Sequence, residues 1–331
     1  MNVRIIRRLS ALVGLSLLIT LAFVPAQARG ETFSGRATVI KATVLGTTTT
    51  LVDTGPLPSS GGALEASLVT ANVDGLSAEV LHAATVGQGN ASRAEASVAS
   101  LNLTVGGDTI SADFLMARAM AECNAGGAFV SGSSAIVGLV INGHSIVVGT
   151  QPNETILLPD GQVVINEQST SADGKALTVN ALHITVTGIA DIIVSSAHAD
   201  IDCAGNPPCI GDFVTGGGWI TGTPSAAKAN FGVAGGVKNG AFWGHLTYID
   251  HGSGGPNVKG TGVTAYTVKD AASRHIEGTC EVNGQGGFTY QVDVADNGQP
   301  GTNDTFAIRL SNGYVAGVNL GGGNIKLHTC E

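Results

Sequence analysis

Residues 111–123 read Ser-Ala-Asp-Phe-Leu-Met-Ala-Arg-Ala-Met-Ala-Glu-Cys, and in its second half the residues alternate with a period of two. Ala117, Ala119, Ala121 and Cys123 fall on one side; Arg118, Met120 and Glu122 fall on the other. That period is the mark of an extended strand with two unlike faces, because successive side chains point to opposite sides of the pleat. A helix over Phe114–Glu122 is the competing reading, and the turn residues Asn124-Ala125-Gly126-Gly127 favour the strand. Hairpin signals recur. Leu101–Val105 and Thr109–Phe114 flank Gly106-Gly107-Asp108, and Val137–Ile141 and Ser145–Val148 flank Asn142-Gly143-His144. Asn-Gly between apolar runs suits a two-residue turn, since both residues tolerate positive φ. Leu177–Val186 and Ile189–Ile201 read as further long strands.

Composition agrees with this reading. The 331-residue chain has 48 Gly, 43% apolar residues and only 12% charged ones. Apolar residues at that level can build cores, and so few charges do not fit disorder. The expected fold class is all-β: two antiparallel β domains, of sandwich or barrel type, behind a cleaved signal peptide. The division rests on a shift in aromatic content. Between Arg29 and Cys203 the aromatics are Phe33, Phe114 and Phe129, whereas both Trp and all four Tyr lie beyond residue 210. Ala204-Gly205-Asn206-Pro207-Pro208-Cys209 reads as a linker. Residues 1–28 are thus assigned to a leader, 29–203 to the first domain, 204–209 to the linker and 210–331 to the second domain. Strands are expected in the second domain at Gly217–Thr221, Gly240–Ile249, Val263–Val268, Arg274–Val282, Gly287–Asp293, Thr305–Leu310 and Asn324–His328. Trp219, Phe231, Trp243, Tyr248, Phe288, Tyr290 and Phe306 are expected to supply its core.

The leader sets the compartment. Arg4, Arg7 and Arg8 precede an apolar run from Leu9 to Val24, and Ala26-Gln27-Ala28 offers the small residues a signal peptidase reads. The run is short for a membrane anchor, and no second long apolar run follows it. The mature chain is expected to start near Arg29 and to be secreted, or held at a cell surface without a covalent anchor. Its formal net charge is −9 and becomes more negative when the three leader arginines are lost. Without a basic patch, nucleic acid is excluded as a partner, whereas divalent cations remain compatible. Five Cys in an exported chain read as disulfide candidates with one left over.

Several stretches resemble a known family. In the first domain these are SADFLMARAMAEC (111–123), INGHSIVVG (141–149), PNETILLP (152–159), VVINEQ (163–168), VNALHITV (179–186) and SSAHADIDC (195–203). In the second they are FVTGGGWI (213–220), FWGHLTYIDH (242–251), GTCEVNG (278–284), DNGQPGTNDTFAIRLSNGY (296–314) and LGGGNIKLH (320–328). The chain resembles the choice-of-anchor P family of exported bacterial proteins, followed by a post-choice-of-anchor-P domain. The resemblance implies an exported surface or secreted protein with no established chemistry. Attachment by a C-terminal anchor is not expected, because the sequence ends with the second domain. Cys123 and Cys203 both end stretches that carry the resemblance and are expected to pair. Cys280 and Cys330 are a second expected pair, which would leave Cys209 free.

Four constellations carry possible chemistry. Asp293, Asp296, Asn297 and Asp304 surround a Gly-Pro-Gly loop, and their hard oxygens suit calcium. The competing reading is a polar turn built from the same residue types. His198, Asp200 and Asp202 alternate on one strand face with His183 within reach, which suits either a transition metal or a solvated sheet face. Asp250, His251 and His245 imitate hydrolase parts without a nucleophile elbow or other motif. Glu277, Glu281 and Asp293 are the carboxylates a carbohydrate-active enzyme would need in one cleft. The sequons at Asn90, Asn102, Asn153 and Asn303 read as chance matches. The Thr47–Thr50 run permits an ice- or mineral-facing surface. The expectation is a non-catalytic structural, adhesive or matrix protein with no cofactor beyond calcium. Its partner would be an extracellular glycan or a surface component. A glycan- or calcium-binding module is the first alternative, and a secreted carbohydrate-active enzyme the second.

Overall fold

The computed structural model describes residues 31–124, 127–203, 212–238, 240–298 and 301–329. The expected leader 1–28, the expected linker 204–209, Cys209 and Cys330 lie outside the described residues. In the first half the strands are β1 (Thr32–Val44), β2 (Thr47–Asp53), β3 (Gly62–Val73), β4 (Leu76–Gln88), β5 (Ala91–Val105), β6 (Asp108–Asn124), β7 (Gly127–Val137), β8 (Val140–Ile141), β9 (His144–Ser145), β10 (Glu154–Leu158), β11 (Gly161–Thr170), β12 (Ala176–Val186) and β13 (Ala190–Asp202). The second half adds β14 (Phe213–Ile220), β15 (Ala229–Lys238), β16 (Ala241–Asp250), β17 (Asn257–Val268), β18 (Ser273–Val282), β19 (Gln285–Ala295), β20 (Thr305–Leu310), β21 (Val315–Asn319) and β22 (Gly322–His328). A 3₁₀ turn at Gly301–Asn303 is the one helical element among the described residues. The all-β expectation is met.

These strands make three antiparallel sheets. Sheet A has the order β10-β11-β12-β13-β1-β2, and sheet B the order β3-β4-β5-β6-β8-β9 with β7 also paired to β6. Sheet C has nine strands in the order β21-β20-β19-β18-β17-β16-β15-β14-β22, a meander whose last strand returns beside its first. The inward faces of A and B share one core, in which Val39 and Ile40 of β1 and Val194 and Ile201 of β13 join Leu81, Val98, Leu115 and Ala117 of β4, β5 and β6. The Ala-rich alternation of β6 is what lets the two sheets approach, since alternate small side chains fill a shallow gap. Sheet C wraps a second core around Phe231, Tyr248, Tyr290 and Phe306, with the Phe231 and Phe306 rings stacked 4.0 Å apart.

The expected hairpins form. Val105 faces Asp108 across Gly106-Gly107, and Ile141 faces His144 across Asn142-Gly143, where φ is 51° and 77°. The second hairpin is shorter than the sequence suggests. Gly138 at φ 65° stops β7 at Val137, and the returning chain leaves pairing after Ser145. In the second half two strands escaped the pattern, and in the first half β1 to β4, β10 and β11 went unnamed. β15 (Ala-Asn-Phe-Gly-Val-Ala-Gly-Gly-Val-Lys) is diluted by glycine, and β21 is only five residues long. Among the aromatics expected in the second core, Phe231, Tyr248, Tyr290 and Phe306 are buried there; Phe288 packs at its edge. Trp219 packs instead against Phe114 of sheet B, and Trp243 against Phe213.

Cys123 and Cys203 are joined by a disulfide, with Cα atoms 5.7 Å apart and 80 residues between them in sequence. Closing so long a loop contributes about 4 kcal/mol in the chain-entropy picture. Of the second expected bridge, Cys330 lies outside the described residues, and among those described Cys280 is a free, buried thiol in the second core. It sits mid-strand against apolar neighbours, and that burial pushes the thiol up to about 11.

Candidate functional site

Sheet B has two buried faces. One meets sheet A; the other meets β14, β15 and β16 of sheet C. That second contact holds a small apolar cluster of Val80, Ala99, Phe114, Met116 and Ile249, with Trp219 packed on it. The rest of the seam is polar. Glycines let the sheets close on each other: a Cβ at Gly217 would stand 2.7 Å from Ser97 Oγ, and one at Gly232 would stand 3.0 Å from His82 Cβ.

A row of four ionisable side chains crosses the middle of this seam. His82 of β4 and His245 of β16 meet ring to ring, with Nδ1 of the first 2.5 Å from Nε2 of the second. The outer nitrogen of His82, Nε2, faces Glu95 Oε1 of β5 at 3.5 Å. The outer nitrogen of His245, Nδ1, is in contact with Glu65 Oε2 of β3. His82 is fully buried, Glu95 and His245 are each 5% exposed, and the Glu65 side chain reaches 31% exposure. Burial holds the His82 imidazole below its ordinary value, and the charge of His245 adds to this. Burial also pushes the Glu65 carboxyl up, but His245 and His82 outweigh it and hold the group below the usual carboxylate range. Further links cross the seam. His251 Nε2 lies 3.3 Å from Glu79 Oε2, and Asn230 Nδ2 donates to Ser100 Oγ at 3.5 Å. At one rim a cavity of about 280 Å³ opens, lined by Phe33, Gly62, Gly87, Phe213, Lys238 and Trp243. Lys238 Nζ donates to Ala63 O at its edge, 2.8 Å away.

Most residues singled out in the sequence lie elsewhere. Asp293 accepts from Lys269 Nζ at 3.0 Å and pairs with His275 Nδ1 at 2.8 Å. Asp296 accepts from Leu327 N at 3.0 Å, Lys326 Nζ at 3.1 Å and Gly298 N at 3.1 Å. Asp304 accepts from Asn297 N at 2.7 Å and Ile325 N at 2.8 Å, and Asn297 Nδ2 donates to Asn303 O. Burial raises the Asp304 carboxyl, against the lowering by the Ile325 N and Asn297 N donors, and the charge of Asp296 adds a smaller upward push. Their oxygens are committed to backbone donors that fasten the β19–β20 loop to β22, as in a polar turn, and Asp293 belongs to a different strand ladder. Among the described residues, no group of three or more His, Cys, Asp or Glu is arranged to hold a metal ion.

The other constellations also separate. His198 Nδ1 bonds Thr178 Oγ1, Asp202 pairs with Lys175, and His183 sits between Glu167 and Asp191, all on the outer face of sheet A. Asp250 accepts from Tyr314 Oη and Gly252 N, away from His245. Glu277 and Asp293 flank His275 on one sheet face, while Glu281 stands opposite Lys259. Thr47–Thr50 are exposed on the edge strand β2. Sequence reading missed Glu65, His82 and Glu95. Their signal was present as single ionisable residues within the consecutive strands β3, β4 and β5, but nothing in the chain says that these strands meet His245 of the distant β16.

No family model and no curated protein matches the chain. A solved structure of kievitone hydratase from Nectria haematococca aligns over 90% of this chain and 88% of its own at 10% identity, with a TM-score of 0.20. A likeness at that score carries no argument about fold or chemistry. Among the described residues, no helix is long and apolar enough to cross a membrane.

Proposed function

We propose that this chain is an exported, non-catalytic β protein that serves a structural, adhesive or matrix role outside the cell. The observation that carries the reading is the placement of its reactive side chains. The densest cluster of imidazoles and carboxylates lies in the seam between sheets B and C, with His82, Glu95 and His245 buried and Glu65 at its partly exposed end, where it joins the two halves. His183 and His275 pair with carboxylates across strands on open sheet faces. The leader-like residues 1–28, the low charge and the resemblance to exported choice-of-anchor P proteins support the same reading.

Expression of the full chain in a bacterial host tests it. The expected result is a protein outside the cytoplasm whose first residue lies near Arg29, and which retains cells or matrix material on a coated surface. Retention of residues 1–28 in a cytoplasmic product sinks the export reading. A coated surface that retains nothing sinks the adhesive one.

A second reading is favoured by the rim cavity. Trp243 and Phe33 give flat apolar walls beside the Lys238 ammonium, a combination suited to a sugar ring with polar substituents. Glycan-array binding by wild type and a Trp243→Ala variant, each with and without EDTA, separates this reading from the first and from the calcium-dependent form of glycan binding.

A further inference from the structure

The row Glu95–His82–His245–Glu65 fixes a number of protons. It contains three contacts between facing polar atoms: Glu95 to His82, His82 to His245, and His245 to Glu65. Each contact needs one proton between its atoms, because two bare lone pairs facing each other away from water are strongly unfavourable. Two neutral imidazoles bring two protons, and ionised carboxylates bring none. One proton is missing.

We propose that the folded protein binds this third proton between His82 and His245, and that it clamps the two halves of the molecule together. With both carboxylates ionised, two arrangements satisfy every contact, the inner proton lying on His245 or on His82; the full burial of His82, against a His245 that meets the partly exposed Glu65, selects the first. His245 carries protons on both ring nitrogens, donating Nδ1–H to Glu65 and Nε2–H to His82 Nδ1. His82 is neutral and points its Nε2–H at Glu95. The row then holds one positive and two negative charges. The low His82 and Glu65 values fit this distribution, since a charged His245 disfavours a second charge on His82 and favours ionised Glu65.

The surrounding groups do not supply the proton. Tyr290 of β19, which feels the charges of Cys280 and Glu65, and Cys280 of β18 are both raised chiefly by burial and stay neutral. His328 of β22 is held well below its ordinary value by burial, and then by Arg93, Lys326 and Arg118. Arg93 of β5 has Glu122 of β6 as its electrostatic partner. Glu79 and His251 form their own pair.

The sign follows. As pH rises and the third proton leaves, one of the three contacts loses its hydrogen and the seam weakens. As pH falls, His82, lowered from 6.5, and then Glu65, lowered from 4.5, must be protonated inside the fold, and the seam weakens again. The clamp is strongest between these limits.

Imidazole nitrogen NMR on the ¹⁵N-labelled full chain tests the proposal. At neutral pH the expected spectrum contains one imidazolium and one neutral Nε2–H ring whose protons resist exchange into heavy water, the first lost in His245→Gln and the second in His82→Gln. His183 and His275 also meet carboxylates, but their side chains are 23% and 24% exposed and exchange freely. If either variant does not fold, the wild-type spectrum decides alone: no exchange-protected imidazolium, or two, overturns the assignment. Glu65→Gln keeps an acceptor but removes the charge. It should lower the pH at which the protected imidazolium signal is lost by about one unit or more; an unchanged midpoint overturns the clamp.

Discussion

Asp304 is fully buried, yet both of its carboxylate oxygens are used. One caps Asn297 N at the start of the loop, and the other takes Ile325 N from the middle of β22. Removing the carboxylate leaves two N–H groups without an acceptor inside the fold. Asp304→Ala should therefore cost about 3 kcal/mol of stability, measured by urea unfolding. In the polar-turn reading, excess calcium and then EDTA leave the wild-type melting temperature unchanged. A calcium-dependent rise that Asp304→Ala abolishes would show instead that these oxygens hold a cation. A cost below about 1 kcal/mol would show that water replaces the carboxylate at both donors.

At the scale of single elements, two histidines act as cross-strand ties on open sheet faces. His183 of β12 stands between Glu167 of β11 and Asp191 of β13, and His275 of β18 between Asp293 of β19 and Glu277 on its own strand. Partial burial pulls both imidazoles down, but the flanking carboxylates outweigh it and raise both above 6.5. A raised folded value stabilises fully below the unfolded value and fades as pH rises through the folded one. The stability gap between wild type and His183→Gln, His275→Gln should thus be full below about pH 6 and shrink steadily toward pH 9. Added salt should reduce it, because these pairs are partly solvated. A gap that is constant with pH would mean that the rings contribute by packing alone.

At the scale of the whole molecule, the approach of sheet C to sheet B depends on where glycine falls. A Cβ at Gly217 of β14 meets Ser97 Oγ of β5 at 2.7 Å, in the same seam that holds the histidine row. Gly217→Ala should cost about 1–2 kcal/mol, as overpacking does. In a Ser97→Ala background most of that cost should vanish, since the opposing oxygen is gone. Urea unfolding of the four proteins in the cycle measures the coupling. Independent, additive effects would show that the sheets are not held apart at this point.

The chain by itself determined its local grammar. Period-two alternation fixed β6, β12 and β13, because a strand's faces are written two residues apart. Asn142-Gly143 placed a tight turn, because φ near 51° and 77° is accessible to those residues. It also showed the loop aspartates to be either cation ligands or turn-formers, an ambiguity inherent in oxygen-rich side chains. Where glycine replaced apolar residues, as in β15, the alternation faded and the strand went unread. The tertiary structure alone decided that sheet B is buried on both faces, that Cys280 is a free thiol in a core, and that Glu65, His82, Glu95 and His245 form one row. Those facts depend on which strands become neighbours across a layer. A period of two says which face a residue occupies, but not what that face will meet.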